Sequence, residues 1–232
     1  MATVPDGAPI DRATVAAIIP AYLEEKHIAD VVRRTLQQLD HVLVIDDGST
    51  DATAETARSA GANVILHEQN RGKGESIKTG LRQWLDRGFA YVVILDGDGQ
   101  HLPEEIGRFL TSGASTSAAL LVGTRMNDVR EMPLLRRTVN RYMSRKISRL
   151  CGQEIPDTQC GFRMVHRSVI PDLLGGADRF DYETEMLIIT SRKGCRIESV
   201  LITTVYSDEV SSIHPVRDTL RFFKLMRRYK KK

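Results

Sequence analysis

The stretch YVVILDGDGQ, residues 91–100, decides the fold. Its apolar run is too short for a helix and rich in β-branched residues, so it reads as a buried strand ending on Asp96. A strand apolar on both faces belongs inside a parallel sheet. Upstream, VAAII (15–19), HVLVID (41–46) and NVILH (63–67) have the same character, and downstream so does ALLVGTR (119–125). Amphipathic segments lie between them: 24–39, 51–60, and 73–87 with Ile77, Leu81, Trp84 and Leu85 at helical spacing. Another helix opens after residue 102 with Pro103-Glu104-Glu105, a favourable first turn. Strands alternating with helices predict an α/β fold built on a doubly wound, mostly parallel sheet with flanking helices. The second half is less regular. Helices near 136–150 and 181–193 flank the polar-aromatic segment DTQCGFRMV (157–165), and a strand pair is expected near 196–206.

The totals fit one such domain. The chain has 232 residues, 41% hydrophobic and 27% charged, and no apolar run of membrane-spanning length. The first residues, MATVPDGAPIDRATV, lack the basic-then-apolar pattern of a secretory signal. Cys151, Cys160 and Cys195 show neither CxxC nor CxxH spacing, which argues for free thiols in a reducing cytoplasm. The net charge of +3 is unevenly spread: residues 217–232 carry eight Lys/Arg against one Asp, so the remainder is acidic. A basic end of this kind does not support nucleic-acid binding by the whole domain.

Open parallel sheets bind ligands beyond the carboxyl ends of their strands. Here those ends carry Pro20-Ala21-Tyr22, Asp46-Asp47-Gly48, Asp96-Gly97-Asp98 and Gly123-Thr124-Arg125. Two carboxylates separated by one glycine can face the same side of a turn, and with Gln100 they offer hard ligands for Mg²⁺ or Mn²⁺. A solvated turn rich in Asp is the plain alternative for such a DxD. No GxGxxG follows the first strand, and NRGKGES does not meet the P-loop spacing.

The ordered set IPAYLEE, VIDDGSTD, NRGKGES and LDGDGQHLPE resembles the inverting nucleotide-sugar glycosyltransferases of family 2, whose nucleotide-binding domain is called GT-A. Further on, GTR (123–125), PLLRRTVNR (133–141), DTQCGFR (157–163), FDYETEML (180–187) and YSDEVSSIHPVRDTLRFF (206–223) resemble the polyprenyl-phosphate sugar transferase branch, the dolichyl-phosphate mannose synthase-like enzymes. The resemblance runs from about Val15 to Phe223. It implies a short tail over 1–14, a GT-A domain over 15–215 with a donor half (15–125) and an acceptor half (126–215), and a basic amphipathic helix and tail over 216–232.

By the same resemblance, Pro20, Tyr22 and Glu24 contact the nucleoside, and Asp46 and Asp47 accept hydrogen bonds from the base or ribose. Lys73, and Arg71 beside it, reach the base or diphosphate. Asp96 and Gly97 adjoin the ribose or sugar, while Asp98 and Gln100 hold the metal. Asp98 and Arg125 form the catalytic pair, balancing charge on the departing diphosphate. His101 is read as a loop residue. On the acceptor side the implied residues are Arg136, Arg137, Asp157, Gln159 and Arg163. A lipid phosphate supplies its own anionic nucleophile and needs cationic holders; a hydroxyl acceptor needs a carboxylate base, for which Asp157, Glu183 and Glu185 are the candidates.

The leading expectation is transfer of a hexose from a GDP-mannose or UDP-glucose type donor to polyprenyl phosphate. Transfer to a glycan or soluble hydroxyl is the alternative, and a Mg²⁺-dependent phosphohydrolase using Asp96 is a distant one. In the terminal segment, Arg217, Arg221, Lys224 and Arg228 form one helical stripe and Phe222, Leu225, Met226 and Tyr229 another. Such a helix either lies on an anionic membrane or packs on the domain. The expected location is the cytoplasm, peripheral to the membrane.

Overall fold

The computed structural model describes residues 9–125, 134–175, 181–203 and 226–229, with the backbone only for 134–137 and 181. Seven strands form one sheet: β1 (Val15–Ala21), β2 (Val42–Asp46), β3 (Asn63–Leu66), β4 (Tyr91–Ile94), β5 (Leu120–Thr124), β6 (Arg163–His166) and β7 (Ile197–Leu201). Their order is β3-β2-β1-β4-β6-β5-β7. Helices α1 (Ile28–Leu36), α2 (Thr53–Ser59), α3 (Lys73–Asp86), α4 (Ile106–Thr116), α5 (Leu134–Cys151), α6 (Ile170–Leu173) and α7 (Asp181–Arg192) connect and cover them.

The apolar runs behave as their composition requires. Every residue of β1, β2, β4 and β5 is buried, so these strands are covered on both faces. Helix α3 buries Ile77, Leu81 and Trp84 as its periodicity predicts. The Trp84 indole N–H donates to the Ala17 carbonyl (3.1 Å), so even this large ring satisfies its polar atom in the core. Gly80 lets α3 approach β1 closely, because a Cβ there would lie 2.7 Å from Ile18.

The sheet departs from the expected one at a single strand. Arg163–His166 is β6, antiparallel to both β4 and β5 and inserted between them. Its Arg-Met-Val-His composition gave no strand signal, because the two polar ends of the strand are themselves buried. The helix Ile170–Leu173 also went unpredicted; it is one turn long and opens on Pro171 near its start. Of the strand pair expected near 196–206, β7 lies within the described residues and 204–206 fall outside them.

β6 matters for function through its direction. The other six strands share one direction, so their carboxyl ends form one rim. β6 enters the sheet at that same rim, since Arg163 sits opposite Ile94. The segment 157–162 is thereby delivered beside the end of β4.

Candidate active site

The rim at β4 centres on an ion-pair cluster. Lys73 Nζ lies 2.6 Å from Asp96 Oδ1 and 3.0 Å from Glu183 Oε1. These groups come from three places: the first turn of α3, the end of β4, and α7. Burial opposes the charge on Lys73, but Asp96 and Glu183 outweigh it and raise its pKa above that of an ordinary lysine. Burial likewise pushes the Asp96 carboxyl up; Lys73 and then His101 reverse this and leave it well below the usual carboxylate range. Both groups therefore stay charged at neutral pH. His101, expected to be only a loop residue, is buried with Nε2 3.6 Å from Asp96 Oδ2 and its ring 5.4 Å from Phe162.

Asp98 is in the opposite situation. Burial and the Asp96 charge raise its pKa, and its Oδ1 accepts the Gln100 N–H (3.0 Å). A carboxylate raised by a neighbouring negative charge gains most from a cation. Asp98 and the half-buried Gln100 side chain could offer two oxygen ligands, a set that would suit Mg²⁺ or Mn²⁺ taking its other ligands from phosphate oxygens and water. Among the described residues no group of three or more His, Cys, Asp and Glu side chains is assembled into a self-sufficient metal cage.

At the end of β2 the two aspartates divide. Asp47 was expected to meet the base or ribose; instead it is buried and organises a loop. Its Oδ1 accepts from His67 Nδ1 (2.8 Å) and Arg71 N (2.9 Å), and its Oδ2 from Gly72 N (2.7 Å). Those bonds set the start of α3 and hence Lys73. Asp46 Oδ1 accepts the Ser49 N–H (2.8 Å), while its buried Oδ2 has no hydrogen-bond partner among the described residues. Pro20 is buried within β1, Tyr22 stands 44% exposed at its end, and Glu24 is half-buried. Gly97 faces β1, where a Cβ would come 3.4 Å from Ala21. Arg71 is exposed and pairs with Glu75 (3.3 Å).

The acceptor side needs larger corrections. Arg163, expected to hold a phosphate, is fully buried, and its guanidinium donates to the carbonyls of Cys160 (2.9 Å), Thr158 (3.1 Å) and Glu183. It braces α7 against the 158–160 turn. Asp157, proposed for acceptor binding or as a base, is buried and pairs with Arg125 Nε (2.8 Å) and Nη2 (3.3 Å). Both of its oxygens are engaged by Arg125 and turned away from an incoming acceptor. Arg125 thus sits on the rim with its guanidinium turned onto Asp157, its side chain 11% exposed. Glu185 is also excluded as a base: it is fully buried, accepting from Tyr229 Oη (2.7 Å) and Arg228 Nη1 (3.3 Å). Gln159 is half-buried and bonds the Thr158 hydroxyl (3.1 Å). The Arg136 and Arg137 side chains lie outside the described residues, as does most of 216–232.

Sequence reasoning missed two contributors. His67 bonds Asp47 and Thr79 (3.1 Å) at once, and nothing in NVILH marks it. Gly161 presses its backbone on Asp96, where a Cβ would lie 2.6 Å from Oδ2. The Cys-Gly-Phe of DTQCGFR was the available signal, a glycine beside a strand end.

Comparisons with known proteins identify the family. Residues 16–174 match the family "Glycosyl transferase family 2". The chain is 32% identical to glycosyltransferase AglJ of Haloferax volcanii, covering 93% of this chain and 72% of that protein. It is also 32% identical to a UDP-N-acetylglucosamine–dolichyl-phosphate N-acetylglucosaminyltransferase of Methanococcus voltae, covering 82% and 85%. Among solved structures, glucosyl-3-phosphoglycerate synthase of Mycobacterium tuberculosis in complex with phosphoglyceric acid superposes with a TM-score of 0.71 at 19% identity, covering 94% of this chain and 80% of that one. That likeness shows the fold, a GT-A sheet flanked by helices. With its strand-end carboxylates, its mixed, mostly parallel sheet and a family match over most of its length, the chain belongs to glycosyl transferase family 2 and is a glycosyltransferase.

Proposed function

We propose that this transferase takes a hexose from a nucleotide diphosphate donor and passes it, with inversion, to an acceptor that carries a phosphate. The observation that carries the donor half is the contrast at β4: Asp96 neutralised by Lys73, and Asp98 two residues on with a raised pKa beside Gln100. Asp98 and Gln100 would hold the divalent ion, which supplies positive charge opposite the leaving diphosphate. Lys73 adds a permanent cation on the same rim, and the open Asp46 oxygen offers an acceptor for a base or ribose donor. In the transfer, an acceptor oxygen bonds to the anomeric carbon while the bond to the diphosphate oxygen breaks, and the electron pair leaves with the diphosphate.

Which acceptor oxygen attacks separates two readings. Polyprenyl phosphate is favoured by the relatives at 32% identity, one of them named for a dolichyl-phosphate acceptor. A hydroxyl acceptor is favoured by the site itself. Of the three candidate bases, Glu183 alone reaches the Lys73–Asp96 cluster, whereas one of the cations expected to hold a lipid phosphate, Arg163, is engaged internally and the Arg136 and Arg137 side chains lie outside the described residues. The soluble-acceptor reading also has the fold neighbour with phosphoglyceric acid on its side. For a hydroxyl, the proton would pass to Glu183; for a phosphate oxygen no base is needed.

Labelled UDP-glucose and GDP-mannose, Mn²⁺, and either polyprenyl phosphate or phosphoglyceric acid test both readings together. Label extracted into butanol, with Glu183→Gln within a few-fold of wild type, establishes the lipid phosphate. Label retained in water as a new anionic product, with kcat of Glu183→Gln down on the order of 10²–10⁴-fold, establishes the hydroxyl. No transfer to either, with donor hydrolysis also absent, overturns the proposal.

A further inference from the structure

Leu23 stands on strained backbone just beyond the end of β1. Its φ is 61°, in the left-handed region that a bulky side chain avoids. Among the described residues two non-glycine positions have positive φ, and the other has an ordinary cause: Ser117 caps the C-terminal end of α4. Leu23 caps no helix. Nor does the core hold it there, since it is 47% exposed, beside the equally exposed Tyr22. The neighbouring segment imposes the conformation by taking three consecutive N–H groups. Leu23 N donates to Ser49 Oγ (2.9 Å), Glu24 N to Thr53 Oγ1 (2.8 Å) and Glu25 N to Asp51 Oδ2 (3.3 Å), while Ala52 N returns a bond to Glu25 Oε2 (3.1 Å). Ser49 also donates its own N–H to Asp46 Oδ1 (2.8 Å). One serine thus ties the Leu23 backbone to the aspartate whose other oxygen has no hydrogen-bond partner among the described residues.

We propose that Leu23 is a donor-binding residue, its side chain covering the face of the nucleobase beside Asp46. Strain that is maintained under an exposed apolar side chain, and that no packing offsets, marks a ligand contact. Because β1 lies between β2 and β4, the Tyr22–Leu23 pair sits between Asp46 and the Asp98 turn, within the donor rim. A heteroaromatic base has an apolar face and a polar edge, and this corner of the rim offers the complement of both. A sugar or a phosphate would find nothing to bond in a leucine. The inference rests on the nucleotide-donor reading and adds to it a residue whose conformation the fold sustains at a cost.

Two variants separate contact from strain. Leu23→Ala shortens the side chain on the same left-handed backbone, and Leu23→Gly removes side chain and strain together. Calorimetry with UDP and with GDP, each with Mn²⁺ and without acceptor, should show the Kd of whichever diphosphate the wild-type chain binds rising about fivefold in both variants, as for losing the burial of about half a leucine side chain. Without nucleotide, the melting temperature should hold in Leu23→Ala and rise by about 2–4 °C in Leu23→Gly. A more stable protein that binds its donor less well is the signature of strain kept for function. An unchanged Kd in both variants overturns the inference and leaves the donor reading standing. A melting temperature that falls in both makes Leu23 a packing residue and overturns it as well. Binding of neither diphosphate by the wild-type chain overturns the donor reading, and this inference with it.

Discussion

Two acidic pairs end the parallel strands on either side of β1, and in the sequence they look alike: Ile-Asp-Asp-Gly at the end of β2 and Leu-Asp-Gly-Asp-Gly after β4. The structure gives them different work. At β2 the second aspartate is consumed, with Asp47 closing the 67–72 loop through three hydrogen bonds, and the first keeps one open oxygen. At β4 the first aspartate is consumed, with Asp96 locked to Lys73, and the second is left with its charge disfavoured. Each pair therefore holds one residue that builds the site and one that, on the proposed function, is left for the ligand. The two builders are linked, because the loop that Asp47 folds delivers the lysine that neutralises Asp96.

The sharpest way to break this comparison is at Asp98. Asp98→Asn keeps the shape and removes the charge, and divalent-dependent turnover should fall on the order of 10²–10³-fold while the melting temperature holds or rises. Full metal-dependent activity in that variant would reverse the roles of Asp96 and Asp98. Asp47→Ala should show the opposite profile. It strands the N–H groups of Arg71 and Gly72 and one nitrogen of His67, costing about 2–4 kcal/mol of stability. Urea denaturation measures that loss; a variant as stable as wild type but unable to bind donor would make Asp47 a ligand contact after all.

This division explains what the sequence could disclose. The all-buried strands β1, β2 and β4 announce themselves, because a strand covered on both faces must be apolar at every position. The carboxylates at their ends were legible as a set for a related reason, since charges following a buried run need a purpose. Their separate duties were not legible. Asp47 is spent on His67, Arg71 and Gly72, twenty or more residues away, and Arg163 reaches Glu183 twenty residues on besides the nearby Thr158 and Cys160 carbonyls; pairings of the longer range leave no local pattern. β6 escaped notice because its arginine and histidine are satisfied in the interior, where composition reads them as surface. Glu183 and Glu185 show the limit most plainly. Two positions apart on α7, they point to different faces, one to Lys73 and one to Tyr229.

The two ends of β6 extend the comparison to pH. Arg163 at the rim donates to three carbonyl groups, whereas His166 at the far end is buried against Tyr91, its pKa lowered to about 4 by burial and then by Arg167. A folded pKa below the unfolded value of about 6.5 means that the unfolded chain binds the extra proton first. Stability should therefore be full above about pH 6.5 and fall as pH drops toward 4, by about 2 kcal/mol at pH 5. Urea melts at pH 7 and pH 5 read this directly, and His166→Phe should flatten the difference. An equal loss in that variant would move the acid sensitivity elsewhere.

The smallest expected effect is the finest test of how the β2 pair divides its work. Asp46 Oδ2 is buried without a partner among the described residues, while Oδ1 is occupied by the Ser49 N–H. Asp46→Asn can keep the Ser49 bond through its amide oxygen, and it places an N–H₂ donor where the open acceptor stood. If that oxygen receives a hydrogen bond from the donor nucleotide, the donor KM should rise roughly 3–10-fold, the worth of one such bond, with kcat unchanged. Burying an amide in place of an unpartnered carboxylate should leave stability equal or higher. Donors bearing different bases then locate the contact: a KM penalty confined to one base assigns Asp46 to the base, and a uniform penalty assigns it to the ribose. A fall in kcat at constant KM would instead tie Asp46 to the bond-breaking step, and the β2 and β4 pairs would then share the chemistry that the structure divides between them.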